Sequence, residues 1–129
     1  MIRIIVAGSR YYQNYDLLSL ELDALIAQMS NPEITFVSGT CKGADILGEN
    51  YARKRGYPIV RFPADWNRFG AAAGPIRNRE MAEYASADGA TGVLVAFWDG
   101  KSRGTRSMIQ NAEKCGLQVR IVYMSTTRI

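Results

Sequence analysis

The sequence predicts an α/β fold: a doubly wound, mostly parallel sheet of five strands with helices on both faces. Short runs rich in β-branched residues alternate with helical periods along the 129 residues. Residues 93–97 are all apolar, which is typical of a central strand that helices cover on both sides. Glycine-rich loops follow two of the strands, at the end of a parallel strand where ligands usually bind.

The first half of the chain predicts three strands and two helices. Residues 2–7 and 34–37 are continuous strand-like runs, and residues 58–62 form a shorter third run. Apolar residues that recur every three or four positions predict a helix between the first two strands. They are Leu18, Leu22, Leu25, Ile26 and Met29. The second helix is expected over 44–55, where three basic residues suit its negative end and Gly56 stops it.

The second half predicts two further strands and two helices. Residues 63–74 show no clear period and predict a loop. Pro75 is well placed as the first residue of a helix that runs to about residue 87. After the central strand 92–98, one apolar helix face is formed by Met108, Ile109, Ala112 and Cys115. The last strand is expected over 119–123.

Length and composition favour one ordinary globular domain, which we place at residues 1–124, with a frayed end over 125–129. The chain has no histidine, which excludes Ser-His-Asp and Cys-His catalysis. Its two cysteines cannot form a four-thiolate zinc site, so we predict no metal and no cofactor. The apolar run at the N-terminus is too short for a signal peptide or a membrane span, so we expect a cytoplasmic protein without membrane contacts.

The net charge of +4 is unevenly distributed. Residues 11–52 contain one base and six acids, a net charge of −5. Residues 53–79 contain seven bases and one acid, a net charge of +6. This basic middle favours an anionic partner, although surface arginines are also common without one.

Two glycine-rich loops, 38–43 and 99–104, stand between a strand and a helix. There, backbone N–H groups and the helix dipole can hold a phosphate. The first loop has the spacing of neither a Walker A loop nor the GxGxxG dinucleotide motif. In a parallel sheet both loops emerge at one edge, so together with loop 8–10 they predict a ligand crevice there.

Several cations lie where a helix N-terminus is already positive, which is unfavourable by about 0.3–1 kcal/mol each. Arg77 and Arg79 are expected in the first turn of the helix that Pro75 opens. The full set is Arg10, Lys42, Arg77, Arg79, Arg103 and Arg106. A phosphate among these side chains would explain the placement, because arginine can bind phosphate through two parallel hydrogen bonds. The alternative is that the side chains extend into solvent.

Acidic and aromatic side chains occur near the same loops. The acids are Asp45 and Glu49, one helical turn apart, Glu80 in the third long helix and Asp99 after the central strand. One of them could bind a ribose hydroxyl or carry a catalytic proton, or they could be helix-start and solvent charges. Tyr11, Tyr12, Trp66, Phe69 and Trp98 could stack on a base or pack in the core. Trp66 and Phe69 are the least core-like of these.

Four segments together resemble the SLOG superfamily of Rossmann-like domains, and within it the small single-domain YspA-type branch. They are residues 6–10, 38–49, 73–81 and 98–105, in the family's order. The resemblance implies a nucleotide-like ligand and specifies no reaction. It extends distantly to the Lonely Guy phosphoribohydrolases and to DNA-processing protein A, which binds single-stranded DNA.

The Lonely Guy enzymes hydrolyse the N-glycosidic bond of nucleoside monophosphates. The likeness places their catalytic arginine at Arg77. Their catalytic glutamate follows a Gly-Thr that corresponds to Gly104-Thr105, but residues 106–108 contain no acid here. If this chain is an enzyme, the candidate catalytic residues are therefore Arg77, Asp45, Glu80 and Asp99.

Three hypotheses about function stay open. The first is binding of a nucleotide or nucleotide-derived phosphate ligand, for example an ADP-ribose-like molecule, for sensing or sequestration. The second is N-glycosidic hydrolysis of nucleoside 5'-monophosphates, and the third is single-stranded nucleic-acid binding. A homo-oligomer also stays open, because related domains often pair through helices. The predicted ligand-binding residues are Gly8, Ser9, Arg10, Ser38, Gly39, Thr40, Lys42, Gly43, Asp45, Arg77, Asn78, Trp98, Asp99, Arg103, Gly104 and Thr105.

Overall fold

The computed structural model describes residues 1–30 and 33–124, and these form a five-stranded sheet covered by helices on both faces. The strands are β1 (Ile2–Gly8), β2 (Ile34–Ser38), β3 (Ile59–Arg61), β4 (Thr91–Trp98) and β5 (Gln118–Tyr123). Their order in space is β3-β2-β1-β4-β5, and each neighbouring pair is parallel. The predicted doubly wound α/β class is confirmed.

The helices divide between the two faces of the sheet. The α-helices of the described residues are α1 (Tyr15–Ala27), α2 (Ala44–Arg55), α3 (Trp66–Phe69), α4 (Ala73–Ser86) and α5 (Arg103–Lys114). Successive side chains of a strand point to opposite faces. Ile4 and Val6 of β1 therefore belong to the core under α1 and α2, whereas Ile5 and Ala7 belong to the core under α4 and α5.

The segment between β3 and α4 differs from the loop that the sequence predicts. Residues 63–74 contain α3 and a 3-10 turn, Gly70–Ala72. Asp65 caps α3, since its Oδ1 accepts a hydrogen bond from the backbone N–H of Arg68 at 3.1 Å. One turn of helix is too short to produce an apolar period, so only this cap could have indicated it.

The prediction that α4 begins at Pro75 is wrong, because the helix begins two residues earlier at Ala73. Pro75 still lies within the first turn, where a missing N–H costs little because these groups have no partner inside the helix. As a result Arg77 and Arg79 lie in the second turn. The helix dipole therefore opposes these two cations less than the sequence indicates.

The strand order creates a crevice beside β1. The chain passes from β1 to β2 on one side and returns to β4 on the other, so the loops after β1 and β4 diverge at the C-terminal edge of the sheet. Gly43 lets α2 start close to this point, because a Cβ there would collide with the carbonyl oxygen of Ser9. The N–H of Ala44 donates to that same oxygen at 3.3 Å. The start of α2 thus packs directly on the loop after β1.

Predictions about the ends of elements had different outcomes. The second helix, expected over 44–55, agrees with α2, and Gly56 follows it with φ +76°. The end 125–129, which we expected to fray, lies outside the described residues.

Within the part of the chain that the structure describes, no helix is both long and apolar enough to cross a bilayer.

Candidate functional site

Two adjoining cavities open at the C-terminal edge of the sheet. The β1/β4 cavity, of about 490 Å³, is lined by the loops after β1 and β4, the loop and helix start after β2, and α4 and α5. The β2/β3 cavity, of about 580 Å³, is lined by the loops after β1 and β2 and by the segment around α3. Both cavities are lined by Arg10, Tyr11, Cys41 and Arg77. Each volume lies within the ~300–1,000 Å³ that is usual for small-molecule sites.

Most of the predicted ligand-binding residues line one of these cavities. In the β1/β4 cavity they are Gly8, Ser9, Arg10, Asp45, Arg77, Asn78, Asp99, Gly104 and Thr105. In the β2/β3 cavity they are Arg10, Gly39, Thr40, Lys42 and Arg77. Those that line neither cavity are Ser38, Gly43, Trp98 and Arg103. The cavities lie at the edge of the sheet where the glycine-rich loops predict a crevice. The binding role of these residues stays a prediction.

Several lining residues are absent from the predicted set. Lys101 and Ser102 line the β1/β4 cavity, and both belong to a glycine-rich loop that the sequence does single out. Cys41 lines both cavities and also lies in such a loop. Trp66 lines the β2/β3 cavity and is half exposed, in agreement with its non-core pattern. The apolar lining residues Met81 and Met108 have no sequence signal apart from their helix faces.

Arg77 is the central cation of the site. Its side chain comes from α4 and is 8% exposed. Its Nη1 donates to the carbonyl oxygen of Gly39 at 2.6 Å, and its Nε donates to Oδ1 of Asn78 at 2.9 Å. Asn78 Nδ2 donates in turn to the carbonyl oxygen of Gly104 at 3.3 Å. Arg77 therefore connects the loop after β2 with the start of α5, where the two cavities meet.

Asp45, in the first turn of α2, approaches Arg77 beside Gly39. Its Oδ2 accepts a hydrogen bond from the N–H of Cys41 at 3.2 Å. A Cβ on Gly39 would lie 2.8 Å from that Oδ2 and 3.0 Å from Nη1 of Arg77. The absence of a side chain at Gly39 therefore lets the carboxylate and the guanidinium occupy neighbouring positions.

The pKa of Asp45 is unusual for a carboxyl group. Burial raises it to about 6, although the Cys41 N–H and the charge of Arg77 act in the opposite direction. A carboxyl group with a pKa near neutrality can exchange protons efficiently under physiological conditions. Perturbed carboxyl groups in a cleft are also common at functional sites.

Asp99 holds the loop after β4 in place. Its Oδ1 accepts hydrogen bonds from the N–H groups of Ser102 at 2.9 Å and Lys101 at 2.8 Å. These two bonds hold the pKa of Asp99 below its usual range. Ser102 then caps α5, since its Oγ accepts from the N–H of Thr105 at 3.5 Å. Because Ser102 and Thr105 both line the β1/β4 cavity, the positive end of α5 faces it.

The loop after β2 uses part of its hydrogen-bonding capacity internally. The N–H of Thr40 donates to Oγ of Ser38 at 3.0 Å, and Ser38 Oγ donates to Oε2 of Glu49 at 2.6 Å. Glu49 Oε1 also accepts from Nε of Arg61 at 3.0 Å. Ser38 and Glu49 are therefore engaged in holding the loop. Among the described residues, the N–H groups of Gly39, Lys42 and Gly43 have no partner within the protein, and Gly39 and Lys42 line the β2/β3 cavity.

The remaining candidates lie outside the cavities. Glu80 is exposed on α4, and Arg103 is exposed at the first residue of α5. Trp98 donates from Nε1 to the carbonyl oxygen of Ser102 at 3.1 Å and so supports the loop from behind. Of the six cations singled out in the sequence, those that line a cavity are Arg10, Lys42 and Arg77; those that do not are Arg79, Arg103 and Arg106.

The site offers carboxylates and cations but no cluster of metal ligands. Within residues 1–30 and 33–124, no three Cys, Asp or Glu side chains come together as a metal ion would require. Asp45 and Asp99 both line the β1/β4 cavity, together with Arg10, Arg77 and Lys101. Such a set can bind an anion and hydroxyl groups side by side.

Comparison with known proteins agrees with this architecture. The family model of YAcAr, described as the YspA, cpYpsA-related SLOG family, matches residues 2–69, from β1 to the end of α3. The chain is also similar to the "Gene 61 protein" of Mycobacterium phage D29, with 34% identity in an alignment 128 positions long that covers 92% of this chain and 94% of the phage protein. No solved structure gives a significant match. Since the family model spans more than half of the chain, this protein belongs to the YspA, cpYpsA-related SLOG family.

Proposed function

We propose that this protein binds a nucleotide or a nucleotide-derived phosphate ligand, such as an ADP-ribose-like molecule, and senses or sequesters it. Arg77 is the observation that carries this proposal. It is a buried arginine between two cavities, and no carboxylate of the described residues lies within 4.0 Å of it. Its hydrogen bonds go to the neutral oxygens of Gly39 and Asn78, and the neighbouring Asp45 forms no ion pair with it within that distance. A phosphate would therefore add the close countercharge that a buried guanidinium favours.

The surroundings of Arg77 support an anion of this kind. Arg10 lines both cavities, Lys42 lines the β2/β3 cavity and Lys101 lines the β1/β4 cavity, so the lining cations outnumber the two lining carboxylates. The N-terminus of α5 adds partial positive charge to the wall of the β1/β4 cavity. Membership of a SLOG family supports a nucleotide-related ligand without specifying which one.

Calorimetric titration with AMP, ADP and inorganic phosphate tests the proposal. We expect nucleotide binding, weakened at least about 10-fold in Arg77→Lys and Arg77→Ala, because lysine cannot reproduce the two-pronged guanidinium contact. Arg79→Ala is the matched control: Arg79 is on the same helix but is exposed and paired only at 3.9 Å with Glu83. Thermal unfolding of each variant verifies that it is folded. If no nucleotide binds at millimolar concentration, the proposal is refuted.

Hydrolysis of a nucleoside monophosphate at its N-glycosidic bond is a second candidate, and Asp45 is the observation that favours it. Of the other candidate acids, Glu80 is exposed outside both cavities and Asp99 has a lowered pKa. Asp45 is buried beside Arg77 with a pKa of about 6, which suits an acid or base at neutral pH. Release of free base from AMP, abolished in Asp45→Asn, would support hydrolysis. Binding of AMP without base release would leave binding as the function.

Single-stranded nucleic-acid binding is the third hypothesis, and the ion pairs of the basic stretch support it less than the other two. The basic stretch 53–79 suggested it, but Arg55 pairs with Asp23 at 3.0 Å and Arg61 pairs with Glu49 at 3.0 Å. These cations are partly neutralised within the protein. Binding of an oligonucleotide whose affinity falls steeply with salt would restore this hypothesis, because such binding releases many counterions.

A further inference from the structure

The two cavities differ in the chemistry of their walls. The β1/β4 cavity is lined by the carboxylates of Asp45 and Asp99. The residues that line the β2/β3 cavity include no acid and do include the indole of Trp66. Carboxylates accept hydrogen bonds from hydroxyl groups, whereas an aromatic ring offers a stacking surface for a nucleobase. The two cavities are therefore suited to different parts of a ligand.

Trp66 is held in a position where a base could stack on it. Its side chain is 50% exposed, although tryptophan is largely buried on average. A Cβ on Gly74 would lie 3.4 Å from Cη2 of the indole, so the ring rests on α4 where that helix has no side chain. Asp65 caps the short helix that carries Trp66. The indole is thus supported on one side and accessible at the cavity on the other.

Arg10 and Arg77 are the two cations that line both cavities. A ligand that occupied both cavities would have to pass them. Guanidinium groups bind phosphate oxygens through paired hydrogen bonds, so two of them suit two linked phosphates. Phosphates are less suited to the part of the β1/β4 cavity beside Asp99, whose carboxylate would repel them.

From these contacts we infer that the ligand has two ends joined by a diphosphate. Its nucleobase lies on Trp66, its diphosphate lies between Arg10 and Arg77, and a hydroxyl-rich group lies beside Asp45 and Asp99. The ligand class is a nucleoside diphosphate with a sugar-like group on its terminal phosphate. This inference rests on the proposed function and adds the orientation of the ligand and the residues that hold each of its parts.

Calorimetric titration with ADP-ribose, ADP and ribose 5-phosphate tests the two ends separately. We expect ADP-ribose to bind at least about 10-fold more tightly than ADP. Trp66→Ala should weaken ADP and ADP-ribose about 10-fold and leave ribose 5-phosphate unchanged, while Trp66→Phe keeps most of the affinity because it keeps an aromatic face. Phe69→Ala is the matched control, since Phe69 is an exposed aromatic on the same short helix but lines neither cavity.

A second variant tests the sugar end. Asp45→Asn should reduce the advantage of ADP-ribose over ADP, because an amide is a weaker acceptor for hydroxyl groups than a carboxylate. Equal affinities of ADP and ADP-ribose would overturn the two-ended ligand, and full affinity of Trp66→Ala for ADP would overturn the base position. In both cases Arg77-dependent binding of ADP would preserve the proposed function. Failure of all three probes to bind would overturn the function and the inference together.

Discussion

Arginines occur at both edges of the sheet, but their surroundings differ. At the N-terminal edge, Arg3 pairs with Asp88 at 3.0 Å and Arg55 pairs with Asp23 at 3.0 Å. At the C-terminal edge, Arg77 donates to a backbone carbonyl and has no carboxylate within 4.0 Å among the described residues. An arginine that has its own carboxylate is neutralised by the fold. One that lacks it can take its countercharge from a ligand. Arg61 at the same C-terminal edge pairs with Glu49 at 3.0 Å, so the difference separates structural arginines from a candidate binding arginine.

The largest expected effect is a loss of stability that differs between the two ends of α2. Gly43 at the C-terminal edge has φ +81° and Gly56 at the opposite edge has φ +76°. A Cβ at Gly43 would collide with backbone atoms of Ser9 and Arg10, whereas nothing lies within 4 Å of a Cβ at Gly56. We expect Gly43→Ala to lower the free energy of unfolding by more than about 3 kcal/mol and Gly56→Ala by about 1 kcal/mol. Urea denaturation measures both, and equal losses would contradict a tightly closed binding edge.

The next effect concerns pH and the two acids of the β1/β4 cavity. Because the pKa of Asp45 is raised from 3.8 to about 6 on folding, the folded protein binds its proton more tightly. Its contribution therefore lowers the free energy of unfolding as pH rises between these values. Asp45→Asn should be more stable than the wild type by up to about 3 kcal/mol at neutral pH, with the difference vanishing near pH 4.

The contribution of Asp99 to the pH dependence of stability has the opposite sign, because its pKa is lowered. Asp99→Asn should be less stable than the wild type at neutral pH. This difference should disappear as pH falls through the pKa that Asp99 has in the folded protein. Urea denaturation across the pH range measures both variants. A flat difference for Asp45→Asn would show that its carboxyl group has an ordinary pKa.

A smaller effect concerns two buried arginines, of which Arg3 should contribute mainly to stability and Arg77 mainly to ligand binding. Arg3 has a carboxylate partner and lies over the ring of Tyr84 at 4.0 Å, so Arg3→Met should lower the free energy of unfolding by about 2 kcal/mol. Arg77→Met should cost less stability but weaken ADP binding at least about 10-fold. Denaturation and calorimetry on the same samples compare them. Weakened ADP binding in Arg3→Met would remove the distinction between the two arginines.

The smallest effect separates two cations at the start of α5. Lys101 lines the β1/β4 cavity, whereas Arg103 is exposed and lines neither cavity. We expect Lys101→Ala to weaken ADP-ribose binding about 3-fold and Arg103→Ala to change it less than about 2-fold, since exposed charges are well screened. The reverse order in calorimetry would mean that Arg103 turns towards the ligand.

Local signals predict most of the fold. The bounds of α2 follow from its glycine stop and its three basic last residues, and both are local in sequence. The short α3 and the early start of α4 escape prediction because a single turn has no period and Pro75 is allowed anywhere in a first turn. The apolar run of β4 indicates its central place because covered strands lack polar alternation.

The candidate site is predictable in position but not in detail. Its loops could be located from the sequence, because parallel strands bring their C-terminal ends to one edge. The engagement of Ser38 with Glu49 and Arg61, which turns a predicted ligand residue into a support of the loop, depends on side-chain contacts across three elements. Lys101 has no local signal that separates it from Arg103, two residues later, although only Lys101 lines a cavity.

The apolar periods and the glycine-rich ends of strands predict the fold class and the edge of the sheet at which a ligand would bind. Both patterns can be read from residues that are close together in the chain. The pairing of charges was not accessible in this way. Arg3 meets Asp88, which is 85 residues away in the chain, whereas Arg77 meets no carboxylate within 4.0 Å in the described part of the chain. Similarly, the pKa of Asp45 is raised by burial under distant segments. Contacts between residues far apart in the chain exist only after folding, and these contacts decide which charges remain for a ligand.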